Sequence, residues 1–179
     1  AQHSQSLEAW LTHIPGIKVV APGNANDAKG LLKSAIRDNN IVIFMEPKAL
    51  YGKKEEVNLD SDFYLPLGKG DIKREGTDLT IVSYGRMLER VLQAADEVAA
   101  DGISVEVVDP RTLIPLDKEL IINSVKKTGK LMLVNDAYKT GGFIGEIAAL
   151  VTEVKLLITL IIRLYVWQAK MCQYHTHVF

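Results

Sequence analysis

His3 and His13 are the two imidazoles in the regularly patterned part of the chain, and imidazole is the side chain best matched to proton transfer near neutral pH. His3 lies in the polar run Gln2-His3-Ser4-Gln5, just ahead of the first apolar periodicity, where a loop at a helix start can present it. His13 stands near Pro15 at a helix end, where a cation facing the helix dipole accounts for it. No metal triad can be assembled from these two histidines. In open parallel sheets functional groups collect beyond the carboxyl ends of strands, which nominates Glu46, Ser83-Tyr84-Gly85, Asp109 and Asn135-Asp136. Acids in such places equally cap helices and anchor loops, so most of these are expected to be structural. Gly141-Gly142 follows Thr140 and opens a helix whose N–H groups could meet an anion. Two glycines lack the spacing of a phosphate loop or a dinucleotide fingerprint, and close packing is the expectation. Ser4, Ser6 and Ser83 lack the strand-turn-helix glycine setting of a nucleophile elbow.

The elements that must position these residues alternate. Leu7 to Leu11 is a short amphipathic segment, Ile17-Lys18-Val19-Val20 a strand, and Ala21-Pro22-Gly23-Asn24 a turn. A helix follows, with Ala28, Leu31, Leu32, Ala35 and Ile36 at helical spacing, Asn24 as N-cap, Asp27 in the first turn and Asp38-Asn39-Asn40 as the stop. Ile41 to Met45 is apolar on both faces, as a strand covered on each side reads. Residues 51–76 are polar and punctuated by glycine and proline, which reads as a linker. Alternation resumes with a strand at Leu79–Val82 and a helix carrying Leu88, Val91, Leu92, Ala95 and Val98 inward. A strand at Val105–Val108, a helix from Asp117 to Gly129, a strand at Leu131–Val134 and a helix from about Phe143 complete it. The fold class is α/β, in two parts joined by the linker, with parallel strand pairing.

Composition narrows the partners. The 179 residues carry a net charge of −1 and no long block of one sign, so no basic surface is offered to nucleic acid or an anionic membrane. The longest apolar stretch, Leu156 to Trp167, is broken by Arg163 and is shorter than the ~20 residues that span a bilayer. One cysteine, Cys172, excludes an internal disulfide framework and fits a reducing compartment.

The run Ala1-Gln2-His3-Ser4-Gln5-Ser6-Leu7-Glu8-Ala9-Trp10, followed by His13-Ile14-Pro15-Gly16-Ile17-Lys18-Val19-Val20, resembles the beta subunits of thiamine-diphosphate-dependent 2-oxo acid and acetoin dehydrogenases. The resemblance continues through Asp27-Ala28-Lys29-Gly30-Leu31-Leu32, Arg111-Thr112-Leu113-Ile114-Pro115 and Thr140-Gly141-Gly142-Phe143, to about Thr152. It implies part of a pyrimidine-binding domain (1–50), a linker (51–76) and an incomplete transketolase C-terminal-like domain with a mainly parallel sheet (77–155). It also implies thiamine diphosphate shared with an alpha subunit that holds the magnesium, and a heterotetramer of two alpha and two beta subunits. Acyl transfer to the lipoyl-lysine of an acyltransferase component, in bacterial cytoplasm or mitochondrial matrix, completes the implied role. By motif, His3 takes the family's proton-transfer role in that step, and Ala35, Ile36, Asp38 and Asn40 match a structural potassium site. Helix-end carbonyls with hard carboxylate and amide oxygens suit a hard cation, although simple capping explains them too.

Three departures from the family pattern stand out: Ile41 for proline, Pro110 for leucine and Asn135-Asp136 for His-Glu. The family's glutamate that protonates the cofactor pyrimidine would lie upstream of Ala1, so this stretch by itself is expected to be inactive. From 156 to 179 the resemblance ends; the codons for Tyr165 to His177, read one frame over, permit the family's Arg-Val-Ala-Gly and Val-Pro-Ile-Pro pattern, which suggests a frameshifted tail. The competing class is a non-catalytic α/β assembly module.

Overall fold

The structure, a computed structural model, describes residues 5–155 and the backbone of 164–168; His3, Cys172, His175 and His177 lie outside the described residues. After α1 (Glu8–Thr12) and β1 (Ile17–Val20), α2 runs over Ala25–Ile36. Asn24 starts it from an extended backbone, its side chain accepting the Asp27 N–H at 2.8 Å. At the other end Asp38 Oδ1 accepts the backbone N–H and the side-chain amide of Asn40, both at 2.9 Å, a local turn that competes with another helical turn. The chain then enters β2 (Ile41–Phe44), parallel to β1 from Ile17↔Ile41 to Val20↔Phe44. This strand is not covered on both faces as its apolar run suggests. Among the described residues it has one strand neighbour, in the sheet order β2-β1-β6 with β6 at Thr112–Ile114, and Ile41 is 66% exposed.

Residues 51–76 are pinned rather than loose. The Asn58 N–H donates to Asn26 Oδ1 at 2.8 Å, the Leu65 N–H to the Gly30 carbonyl at 3.2 Å, and the Lys29 and Lys33 ammonium groups to the Asn58 and Ser61 carbonyls. The Tyr64 ring lies 4.3 Å from Lys33 Nζ and 4.8 Å from the Arg37 guanidinium carbon, so the segment is strapped along α2 by cation–π contacts as well. Within the same stretch Asp71–Arg74 forms β3, which a polar strand with only Ile72 apolar does not announce.

The second sheet has the order β3-β5-β4-β7-β8, with β4 at Leu79–Ser83, β5 at Val105–Asp109, β7 at Leu131–Asn135 and β8 at Leu164–Gln168. It is mainly parallel: β3 alone is antiparallel, and the other three pairings run parallel. Helix α3 (Met87–Ala99) packs on one face through Leu88, Val91 and Ala95 against Ile81, Val105 and Val107. On the other face α4 (Lys118–Thr128) and α5 (Ile144–Lys155) bring Ile121, Val125, Ile144 and Ile147 to Val82, Val108, Leu131 and Leu133. Gly129 ends α4 with φ +70°, the left-handed cap that β-carbon-bearing residues resist. The same core takes in Val19 and Ala21 of the first sheet, and β6 (Thr112–Ile114) crosses over to pair antiparallel with β1. The two parts thus share one apolar interior, and fully burying each of these Leu and Val side chains contributes roughly 2 kcal/mol. Among the described residues no helix is long and apolar enough to cross a membrane.

Candidate functional site

Strands β4 and β7 are parallel neighbours, in register at Ser83↔Val134, so Ser83-Tyr84 and Asn135-Asp136 emerge side by side at their carboxyl ends. The segment leading into α1 arrives at the same place. Ser6 Oγ donates to Asp136 Oδ1 at 3.2 Å, and the Arg86 guanidinium holds Asp136 Oδ2. Asn135 Nδ2 donates to the Tyr84 hydroxyl at 3.0 Å, with both residues buried. Glu8, the first residue of α1, is 8% exposed beside them. Burial raises its carboxyl above the ordinary glutamate range and the Asp136 charge adds to this, against a backbone N–H that lowers it. Burial and then the Glu8 charge push the Tyr84 phenol far up. Glu8 Oε2, Asn135 Oδ1 and Ser83 Oγ have no hydrogen-bond partner among the described residues. A buried acid shifted upward keeps its proton to higher pH than an exposed one, and in that form it can donate to such acceptors.

A second polar cluster joins the two parts. Asp27, 2% exposed, receives Lys73 Nζ at 2.5 Å, Asn24 Nδ2 at 2.8 Å and the Arg111 guanidinium at 3.4 Å; Lys73 also reaches Asp71 at 2.6 Å. Arg111 sits in the left-handed region at φ 55° and is held by the Lys69 and Gly70 carbonyls at 3.2 and 2.9 Å. Asp109 is fully buried beside them. Its Oδ1 accepts the Arg111 N–H at 2.8 Å, while Oδ2 has no partner among the described residues. Burial pushes its carboxyl up to about 7, against the Arg111 N–H and the Lys73 charge. Two cations facing three carboxyls balance if Asp109 is neutral.

The candidate cation loop is gathered at the end of α2. Asp38 Oδ2 takes Lys18 Nζ at 2.5 Å, and Oδ1 takes both Asn40 donors. The Lys18 contact first, then the Asn40 bonds, hold the Asp38 carboxyl down at about 2. The Ala35 carbonyl accepts the Asp38 N–H at 3.3 Å, and Ile36 is exposed. An ammonium therefore already occupies one oxygen of Asp38, and a cation held by that oxygen would have to replace it. Apart from this, a cleft of about 300 Å³ opens at the carboxyl ends of β1 and β2, between Pro22, Asn24, Phe44, Glu46 and Tyr51. There Tyr51 donates to Glu46 Oε2 at 2.7 Å, and Glu55 accepts the Ala25 N–H at 2.6 Å.

The strand-end rule thus brings together Tyr84, Asn135 and Asp136, leaves Glu46 apart in the cleft, and sets Asp109 in the interior. His13 caps α1 and meets none of these groups by hydrogen bond. Gly142 is a close-packing glycine: a β-carbon there would lie 2.2 Å from the Tyr138 carbonyl oxygen. Sequence reasoning passed over Glu8, whose signal was an acid three positions before Leu11, on the apolar side of a short amphipathic helix. It also passed over Lys73 and Asp71, whose stretch carries no periodicity.

Residues 68–177 match the family described as transketolase, C-terminal domain, and residues 1–54 match the transketolase pyrimidine binding domain. The first of these matches runs on through the stretch that contains β8. The chain is 50% identical over 152 residues to 2-oxoisovalerate dehydrogenase subunit beta of Bacillus subtilis, covering 84% of this chain and 46% of that protein. It is 51% identical over 153 residues to pyruvate dehydrogenase E1 component subunit beta of Rhizobium meliloti, covering 86% and 33%. A solved split-gene transketolase, an inactive beta4 tetramer, superposes with a TM-score of 0.69 at 26% identity over 89% of this chain and 50% of that one. The chain spans less than half the length of these two curated relatives.

Proposed function

As the chain belongs to the transketolase C-terminal domain family and carries part of a pyrimidine-binding domain ahead of it, we propose that it serves as part of the beta subunit of a thiamine-diphosphate-dependent 2-oxo acid or acetoin dehydrogenase. The observation that carries this is the run of about 50% identity to such beta subunits, sustained through both parts. The complete subunit would pair with alpha subunits and a second beta subunit in a heterotetramer and pass an acyl group to lipoyl-lysine, in bacterial cytoplasm or mitochondrial matrix. Thiamine diphosphate, when bound, supplies the stabilised carbanion chemistry of decarboxylation, with its magnesium held by the alpha subunit. The chain's share is to present His3 for proton transfer, and the Ser6–Asp136 bond supports this by seating the following residues on the ends of β4 and β7. Asn135 Oδ1 and Ser83 Oγ, buried and without a partner among the described residues, give the same strand ends acceptors for a polar group.

For the cation, Ala35 and Ile36 would contribute carbonyls and Asp38 and Asn40 side-chain oxygens, with Lys18 displaced from Asp38. The test is co-expression with an alpha-type subunit, with and without the preceding half of a relative's beta subunit. Lipoyl-dependent decarboxylation is expected only with that half present, and His3→Ala is expected to abolish lipoyl acylation while sparing decarboxylation. Acylation that survives His3→Ala removes the assignment, and activity without the added half overturns the shared-site reading.

A further inference from the structure

Glu8 is chemically out of place. A glutamate 8% exposed should be paired with a cation, yet the described groups around it are the Tyr84 phenol on the β4 end, Asn135 and Asp136 on the β7 end, and Ser6 on its own segment. Arg86, the nearest cation of this cluster, is already engaged by Asp136. An ionised Glu8 would therefore face a second carboxylate without compensation in a dry setting, which is strongly unfavourable. A protonated Glu8 reverses the balance: one oxygen becomes a donor, and Asn135 Oδ1, buried and unpartnered among the described residues, is an acceptor in want of one. Both residues stand around the Tyr84 hydroxyl, Asn135 through its amide and Glu8 through its charge, so a buried water can join the Glu8 proton to that acceptor.

We propose that Glu8 is a neutral positioning residue, a carboxylic acid wedged among Tyr84, Asn135 and Asp136 that fixes the start of α1 on the strand ends of the second sheet. Its proton, and not a salt bridge, makes the attachment. The consequence for acyl transfer rests on the function proposed above, since α1 follows directly on the segment that carries His3. The attachment itself does not depend on that function. It loosens as pH rises, because the detached segment releases the Glu8 proton in the ordinary carboxylate range and the docked one holds it longer.

Hydrogen exchange on the full chain reads this directly. The Trp10 and Ile14 amides donate to the Leu7 and Leu11 carbonyls at 3.1 and 3.3 Å and report on α1. After division by the unprotected exchange rate at each pH, their protection should fall by up to about tenfold per pH unit where the docked and detached states differ in protonation. Glu8→Gln keeps the shape and a donor, so it should preserve protection and flatten the pH profile. Glu8→Ala should lower protection at every pH. Superimposable wild-type and Glu8→Gln profiles overturn the proposal, and so does a Glu8→Gln loss as large as that of Glu8→Ala. In the co-expressed complex, acylation should survive Glu8→Gln and fall in Glu8→Ala. A pH-dependent α1 in a complex that transfers no acyl group supports the role of Glu8 while refuting the proposed function.

Discussion

Replacing Asp109 with asparagine removes a buried ionisable carboxyl without changing the shape of the side chain. Asp109 is fully buried, and its carboxyl is pushed from the ordinary 3.8 up to about 7. The raised value means that the folded protein holds a proton which the unfolded chain has lost. Stability therefore falls as pH climbs from about 4 to about 7, by ~1.4 kcal/mol for each pH unit, and levels off above. Over the whole interval this amounts to ~4 kcal/mol, of which ~3 kcal/mol lies between pH 5 and pH 7. Asparagine keeps an oxygen for the Arg111 N–H, and its amide takes the place of Oδ2, which has no partner among the described residues. Urea unfolding of wild type and Asp109→Asn at about pH 5, 6, 7 and 8 measures the difference. The variant should close on or overtake the wild type as pH rises, with the gap shifting by a few kcal/mol. Parallel profiles would refute a neutral Asp109 and with it the charge balance assigned to Asp27, Asp71, Lys73 and Arg111.

Other perturbations follow from the same contacts. Lys127→Met leaves the fully buried Glu106 with Ser124 and the Gly76 N–H as its partners among the described residues, and should lower stability near pH 7 by denaturant unfolding, less so in acid where Glu106 can protonate. Leu133→Ala empties the centre of the second sheet and should cost about 3 kcal/mol, with a lowered midpoint and an unchanged denaturant slope. Gly142→Ala forces a β-carbon against the Tyr138 carbonyl at 2.2 Å, and a thermal melt should show a loss of over about 1 kcal/mol; an unchanged midpoint would mean that the turn can shift. For the tail, the codons for Tyr165 to His177, read one frame over, should spell the Arg-Val-Ala-Gly pattern if a frameshift produced it.

Sequence by itself determined the local elements, because their causes are local. The Asn24 cap, the Asp117 cap accepting the Leu120 N–H and the left-handed Gly129 bound their helices by interactions only a few residues long. Helical spacing likewise marked Leu88, Val91 and Ala95 as the face of α3 that meets the second sheet. The family resemblance reached His3 and the Asp38 loop through short motifs. Tertiary structure alone decided the rest. That β3 and β6 run antiparallel, and that β6 joins the first sheet, depends on pairings between distant segments too short or too polar to carry a period. The same holds for charge: whether Glu8 and Asp109 are ionised depends on how completely the fold removes water from them and which groups stand opposite. Those neighbours lie up to 128 positions away in the chain, at Asp136 for Glu8, and long-range desolvation has no signature in a linear pattern.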